Sequence, residues 1–256
     1  MTRWWERWKR TPELVEPFSI GGLLEVDVHS HLVPGVDDGA QDLEESMNLL
    51  GRMVELGYRG AVLTPHIYPG LYPNSTATLQ PAFEQLVAAA RTKWPDFRLH
   101  LAAEYFADDA FLETIRKGEL LSFPVGATEA VLFEMGFQEV SPVLFDATFE
   151  MQLAGLQPVL AHVERYPYVV EQPGFAAKLH ERGVWLTVNA ASLAGAYGHV
   201  VQAFVEDLLD KGWVRMLCSD AHGDRHFDAL ARLQTHAGLK HALSAGDWVQ
   251  RGIFRA

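Results

Sequence analysis

The stretch EVDVHSHLVPGVDDG, residues 25–39, decides how this chain is read. An apolar, β-branched run carrying Val26 and Val28 ends in His29 and His31, and Asp37, Asp38 and Gly39 follow a few positions later. Side chains at i and i+2 of a strand leave the same face, so both imidazoles project together from one strand end. With carboxylates nearby they form either a metal-ligand set or a pair of surface histidines in a loop.

The pattern of the remaining chain favours the ligand set. Strand-like apolar runs recur at 23–29, 60–66, 99–104, 130–134, 158–162, 184–189 and 214–220. Segments of helical periodicity separate them, an alternation that predicts parallel strands joined by helical crossovers. The first helix has the clearest signals. Asp42 can cap it with Glu45 three residues on, Leu43, Met47, Leu50 and Val54 follow at helical spacing, and Gly57 ends it. Further helices are expected from about Leu79 to Lys93 and from near Asp108, Pro142, Gly174, Val200 and Phe227.

Each strand run closes on a polar residue: His29, His66, Glu104, Glu134, His162, Asn189 and Asp220 in turn. In α/β barrels the side chains of many strands meet around one cavity at the C-terminal strand ends. In a doubly wound open sheet, ligands gather at a single switch point. A barrel of seven β/α units therefore accounts for the pattern best, and the paired histidines close its first stave.

Composition narrows the function. The 256 residues, 48% hydrophobic, can bury one large core, and no Gly/Ser linker, repeat or low-complexity tract divides them. A formal net charge of −12 disfavours nucleic acid, which requires a basic stripe. The one cysteine, Cys218, leaves no internal disulfide and fits a reducing, cytoplasmic setting. No apolar run approaches the roughly 20 residues of a membrane span.

Residues 1–22 read as a leader preceding a single domain over 23–256. In it Trp4, Trp5 and Trp8 stand among Arg3, Arg7, Lys9 and Arg10, without the apolar stretch and cleavage site of a signal peptide. Such a leader either packs on the domain or a neighbouring subunit, or makes peripheral contact with an anionic membrane.

The elements HSH (29–31), TPH (64–66), AAE (102–104), LFE (132–134), AHVER (161–165) and SDAH (219–222) are weak singly. Jointly they resemble the PHP superfamily, named for polymerase and histidinol phosphatase. Within it they are most similar to the bacterial tyrosine-protein phosphatase branch found with capsule and exopolysaccharide genes. The resemblance spans about Val26 to His222. It implies a distorted seven-stranded, TIM-like (β/α)7 barrel with three divalent metal ions, manganese first, with iron or zinc as alternatives.

By position, the resemblance assigns His29, His31, Glu104 and Asp220 to one metal, with Glu104 bridging to a second that takes Glu134 and His162. The third takes His66, His222 and an aspartate of the DDG turn, Asp38 or alternatively Asp37. Four carboxylates against three divalent ions leave +2 at the site, suited to a phosphate dianion inside an acidic protein. The implied mechanism is in-line displacement by a metal-bridging hydroxide. Arg165 and Arg225, each three residues past a candidate ligand, would fork onto phosphate oxygens, and Asp38 or His222 would protonate the leaving group. The branch carries its second arginine slightly later, in a longer segment ending Arg-Pro-Pro, whereas this chain reads AHGDRHFDALAR. Arg225 is thus either a phosphate ligand or a solvated surface residue.

The better-known tyrosine phosphatases attack with a cysteine separated from an arginine by five intervening residues. Here six residues separate Cys218 from Arg225, and Cys218 lies within a strand run, so it reads as a core residue. The loop IYPGLYPNST (67–76) sets Tyr68, Leu71 and Tyr72 near the expected mouth. These residues, like Tyr166 and Tyr168, either wall a phosphotyrosine ring or pack on the rim.

The expected function is metal-dependent hydrolysis of phosphotyrosine in protein, with the C-terminal tail of a polysaccharide-export tyrosine kinase as substrate. The rivals are a small-molecule phosphatase such as one for histidinol phosphate, and a metal-stabilised regulatory module without turnover. His100, His180, His199, His226, His236 and His241 fall outside the strand-end set and receive no role.

Overall fold

The computed structural model describes residues 15–254, so the tryptophan-rich stretch of the leader lies outside the described residues. Among the described residues, ten strands occur: β1 (Val26–Asp27), β2 (Gly60–Leu63), β3 (His66–Ile67), β4 (Arg98–Leu101), β5 (Glu104–Phe106), β6 (Phe123–Val125), β7 (Thr128–Glu134), β8 (Leu156–Leu160), β9 (Trp185–Asn189) and β10 (Val214–Cys218). All seven expected runs contain a strand. Every pairing is parallel except the β6–β7 hairpin, which turns at Gly126 (φ +66°).

The seven runs do not form one closed ladder. The strands lie in two sheets, one in the order β1-β2-β4, the other β10-β9-β8-β7-β5-β3 with β6 on β7. Two local causes break the expected ring. Pro65, which has no N–H, interrupts the second run between β2 and β3. The ribbon nevertheless keeps its register across the break, Gly60 facing Arg98 before it and His66 facing Glu104 after it. Backbone bonds from Ala102 N to Leu63 O (2.9 Å) and Glu104 N to Pro65 O (3.1 Å) span the gap. His66 and Glu104 therefore begin β3 and β5, whereas the pattern had them ending longer strands.

The second cause lies between β1 and β10, where side chains replace most of the backbone pairing. Asp27 accepts from Ser219 N (2.9 Å) and Ser219 Oγ (2.5 Å). Fully buried Gln250 donates to Val26 O (2.8 Å) and Leu217 O (3.0 Å) and accepts from Leu217 N (3.0 Å). A single parallel bridge, Ser30 with Ala221, completes the seam.

The first helix, Leu43–Glu55, starts as its sequence requires: Asp42 accepts from Glu45 N, and Glu45 accepts from Gln41 N. The other main helices are Thr76–Lys93, Asp109–Lys117, Leu144–Leu153, Pro173–Glu181, His199–Asp210, Asp224–Leu233 and Ala237–Ala245. Their apolar faces pack on the outside of the strands in one large cluster. A smaller, separate cluster is built from alternate positions along the strand runs, Val26 with Val28, Ala130 with Leu132, Val159 with Ala161 and Met216 with Cys218, and Ile253 joins it from the C-terminal segment.

The expected leader boundary at 22/23 falls inside a short helix, Ile20–Leu24. Ser19 caps it, Ile20 and Leu24 are fully buried, and Val15 N and Phe18 N bond to Thr235 O and Gln234 O. Residues 15–24 are thus part of the packed body. No described helix is long and apolar enough to cross a membrane.

Candidate metal centre

Nine residues from across the chain meet at one end of the strands. His29 Nε2 lies 3.1 Å from Glu104 Oε2, 3.4 Å from Asp220 Oδ1 and 3.2 Å from His31 Nε2. His66 Nδ1 stands 3.2 Å from both Glu104 Oε2 and Glu134 Oε1, and His162 Nε2 is 3.0 Å from Glu104 Oε1. His222 Nε2 and His66 Nε2 each lie 3.6 Å from Asp38 Oδ1. Four donor groups emerge: His31, Asp38, His66 and His222; His29, His31 and Asp220; His29, Glu104 and His162; His66, Glu104 and Glu134.

Backbone conformation aims two of these residues. His162 (φ 30°) and Asp220 (φ 48°) sit just past β8 and β10 in the left-handed region, where a side-chain-bearing residue costs about 1–3 kcal/mol. The cost is held locally. His162 N donates to Thr187 Oγ1 (3.0 Å), and Asp220 N donates to His29 O (2.9 Å) while its Oδ2 accepts from Asn189 Nδ2 (2.7 Å).

The neighbouring aspartates divide their work. Asp37 is buried and accepts from Gly39 N (3.0 Å) and His66 N (3.0 Å), and its Oδ2 pairs with His31 Nδ1 (2.8 Å). It therefore orients the His31 ring and turns its Nε2 toward Glu104. Asp38 is half exposed and presents Oδ1 between two imidazoles, which makes it the aspartate open to a cation. Gly39 allows the turn: a Cβ there would lie 1.8 Å from His31 O.

Protonation holds the cluster together when no cation does. Burial opposes charging of His29, but Glu104 and Asp220 outweigh it and raise its pKa to about 9. Burial likewise opposes charging of His66, and Glu104 and Glu134 raise it to about 10. The imidazole of His222, 3.6 Å away, brings Asp38 down to about 2, with the charge of His66 adding to it. Glu104 is buried, which favours its neutral form, yet His29 and His66 hold it well below the carboxylate range. Both Glu104 oxygens are nonetheless buried without a well-formed hydrogen bond, an arrangement costly in a neutral protein and natural for a carboxylate shared between cations. The donors, imidazole and carboxylate only, fit a borderline or hard divalent ion.

Over the cluster opens a cavity of about 970 Å³. Arg165 lines it, with its guanidinium 4.1 Å from the ring centre of Tyr197 and 5.5 Å from that of Phe137. Arg225 lines it from the helix Asp224–Leu233. Of the loop aromatics, Tyr72 stacks on His66 (5.2 Å) and Tyr68 on Phe106 (3.9 Å), and all four face the cavity. Tyr166 is fully buried with its hydroxyl accepting from Met135 N, and Tyr168 donates to Gly136 O, so neither walls the cavity.

Several participants carried no sequence signal. Buried Glu164 accepts from Asn189 N (2.8 Å) and Ser192 Oγ (2.6 Å), fixing the segment that bears Asn189. His226, outside the strand-end set, lines the cavity and accepts from His222 N (3.3 Å). Phe137, Tyr197 and Arg232 also line it.

Cys218 lies in the smaller core cluster, 1% exposed, and burial pushes its thiol well above the ordinary range. A thiolate nucleophile is incompatible with that position. Cys218→Ala is expected to retain wild-type turnover and lose about 1 kcal/mol of stability, as read by aryl-phosphate hydrolysis and thermal melting. Near-complete loss of activity with an intact fold would demand a covalent mechanism.

Histidine and carboxylate donors gathered at one end of parallel strands, under an arginine-bearing cavity, define the centre of a metallohydrolase. Residues 25–233 match the family described as Capsular polysaccharide synthesis, CpsB/CapC. The chain belongs to this family. It is 32% identical over 199 residues to the tyrosine-protein phosphatase YwqE of Bacillus subtilis, covering 77% of each chain. It is 26% identical over 203 residues to the tyrosine-protein phosphatase CpsB of Streptococcus pneumoniae, covering 77% of this chain and 82% of the other. Its structure superposes with a TM-score of 0.76 on one from a crystallographic study of those two proteins, described there as unique metal-dependent tyrosine phosphatases. That match has 26% identity and covers 89% of this chain and 90% of the other.

Proposed function

We propose that this chain is a metal-dependent protein-tyrosine phosphatase acting in the cytoplasm on the phosphorylated tail of a polysaccharide-export tyrosine kinase. The observation that carries the reading is the convergence of nine imidazole and carboxylate side chains beneath a cavity that Arg165 lines. His29, His31, Asp38, His66, Glu104, Glu134, His162, Asp220 and His222 would hold three divalent ions, manganese first. The membership of Glu104 in two donor groups supports its role as a bridge. We also infer that the two sheets act as one distorted barrel over residues 23–256, a reading supported by the continuous β2–β3/β4–β5 ribbon and the Ser30–Ala221 bridge.

When bound, the ions supply Lewis acidity and neutralise charge on the transferring phosphoryl group. The protein's own groups do the rest. Arg165 is held by ring faces and, among the described residues, by no carboxylate, which leaves its N–H donors for phosphate oxygens. Arg225 approaches the same cavity from another element. A tyrosine leaving group, with pKa about 10, needs only modest acid assistance. Asp38 and His222, 3.6 Å apart at the edge of the cluster, are placed to pass that proton, but as ligands they would be an ionised carboxylate and a neutral imidazole, so either serves as the acid only while it is off the metal.

The size and aromatic lining of the cavity favour an aryl phosphate on a peptide over a small amino alcohol phosphate, which shares the ligand plan. The test compares a phosphotyrosine peptide with histidinol phosphate at saturating manganese. Preference for the peptide, with Arg165→Ala lowering its kcat/KM by about 10²-fold or more, is expected. Preference for histidinol phosphate would overturn the substrate assignment, and no hydrolysis of any aryl phosphate would favour a regulatory module.

A further inference from the structure

We infer that Arg232 forms a second anion-binding position that selects phosphotyrosine peptides carrying an acidic side chain about three residues from the phosphotyrosine. The inference rests on the phosphatase reading and adds a substrate preference to it.

Arg225, Ala229 and Arg232 lie on one stripe of the helix Asp224–Leu233, and all three line the cavity over the metal centre. Seven residues of helix separate the arginines by about 10 Å. Arg225 stands three residues past His222, next to the cluster, and Arg232 lies two helical turns further from it. One phosphate held by Arg165 and Arg225 would leave Arg232 without an anion.

Charge elsewhere on the helix is arranged to keep it so. The helix carries two acids, Asp224 and Asp228, and Arg52 binds both from the helix Leu43–Glu55 at 2.7 Å each. Among the described residues, Arg165, Arg225 and Arg232 form no ion pair, in a chain with 33 acidic side chains against 21 basic ones. Among the described residues, the one acid lining the cavity outside the metal cluster is Glu139, on the loop after β7, three strands from β10 in the sheet. Among the described residues, the carboxylate nearest to Arg232 along the helix is Asp228, one turn away, and it is already paired with Arg52, so the wall at Arg232 keeps an unpaired cation.

The rest of the mouth suits a peptide. Leu71 and Phe137 line the cavity and are 60% and 46% exposed, which offers apolar cover to a chain lying across it. An extended peptide spans about 10 Å in three residues, which sets the spacing of the preferred acid.

The test uses the full-length, manganese-loaded protein with p-nitrophenyl phosphate and with phosphotyrosine peptides bearing Glu or Gln three residues to either side. The wild type is expected to favour one Glu peptide in kcat/KM by about fivefold, the size of one exposed ion pair, and the preference should shrink as salt rises. Arg232→Ala should remove the preference while leaving p-nitrophenyl phosphate and the Gln peptides unchanged, and Arg232→Lys should keep it. Equal use of Glu and Gln peptides by the wild type, or a uniform loss on every substrate in Arg232→Ala, would overturn the inference and leave the phosphatase reading standing. No turnover of p-nitrophenyl phosphate would remove both.

Discussion

His162→Ala should lower phosphotyrosine hydrolysis by on the order of 10³-fold or more, beyond the ~10–100-fold that follows loss of a group supporting a metal ligand. His162 lies one residue beyond the core position Ala161 in a left-handed conformation, and its Nε2 sits 3.0 Å from Glu104 Oε1. Removing the imidazole deletes one donor of a three-residue group and leaves a buried carboxylate uncompensated. Asn189→Ala provides the graded comparison. It removes the donor to Asp220 Oδ2 without removing a ligand, so its loss should fall in the smaller range. Steady-state kinetics with manganese, alongside far-UV circular dichroism to show retained fold, separates the two. His162→Gln, which keeps a polar group of similar reach, guards against a variant that fails to fold. Wild-type rates in a folded His162→Ala would remove this residue from the reaction.

Chelation should lower the melting temperature by about 5–10 °C near pH 7.5, the shift expected for a ligand at about a hundredfold excess over its Kd on a chain of this length. The size of the shift should depend on pH in a definite direction. In the metal-free protein, His29 and His66 have pKa values raised to about 9 and about 10. Their contribution to stability is complete below the unfolded value near 6.5 and is lost as pH rises toward those values. Glu104 and Asp38 are lowered, so their contribution is present above the ordinary carboxylate range and is lost only in acid. Metal binding requires neutral imidazoles and releases protons. Between pH 6 and 8 the metal-free form weakens while the loaded form tightens, and the gap in melting temperature should widen. Differential scanning fluorimetry with and without EDTA reads it; a gap that is absent, or that narrows with pH, contradicts the cluster as a metal site.

Much of this architecture was legible in the chain because strands and helices impose periods of their own. Val26 and Val28 repeat at two, Leu43, Met47 and Leu50 at helical spacing, and both assignments match the structure. Glu134 and Asn189 were legible for the same reason, since each is the last residue of a parallel strand, whereas His66 and Glu104 begin β3 and β5 and reach the rim past the break at Pro65. Pro65 carried a readable warning of the break between β2 and β3, and Gly126 one of the β6–β7 hairpin. The seam between β1 and β10 was not legible. It depends on Asp27 meeting Ser219 and on Gln250 reaching Val26, pairs about 200 residues apart that no local pattern links. Asp37 and Asp38 were indistinguishable as adjacent aspartates, and only the positions of His31, His66 and His222 give them different work. Tyr197 and Phe137 lie in loops, where no period announces which side chain turns inward.

Binding of a cluster of divalent cations by these nine side chains can be counted. Elemental analysis of the purified protein, expressed as ions per chain, addresses it most directly. More than one and up to three divalent ions per wild-type chain are expected, with a sharp drop in Glu104→Gln, whose carboxylate serves two of the donor groups. A folded, active protein containing no stoichiometric metal would contradict it.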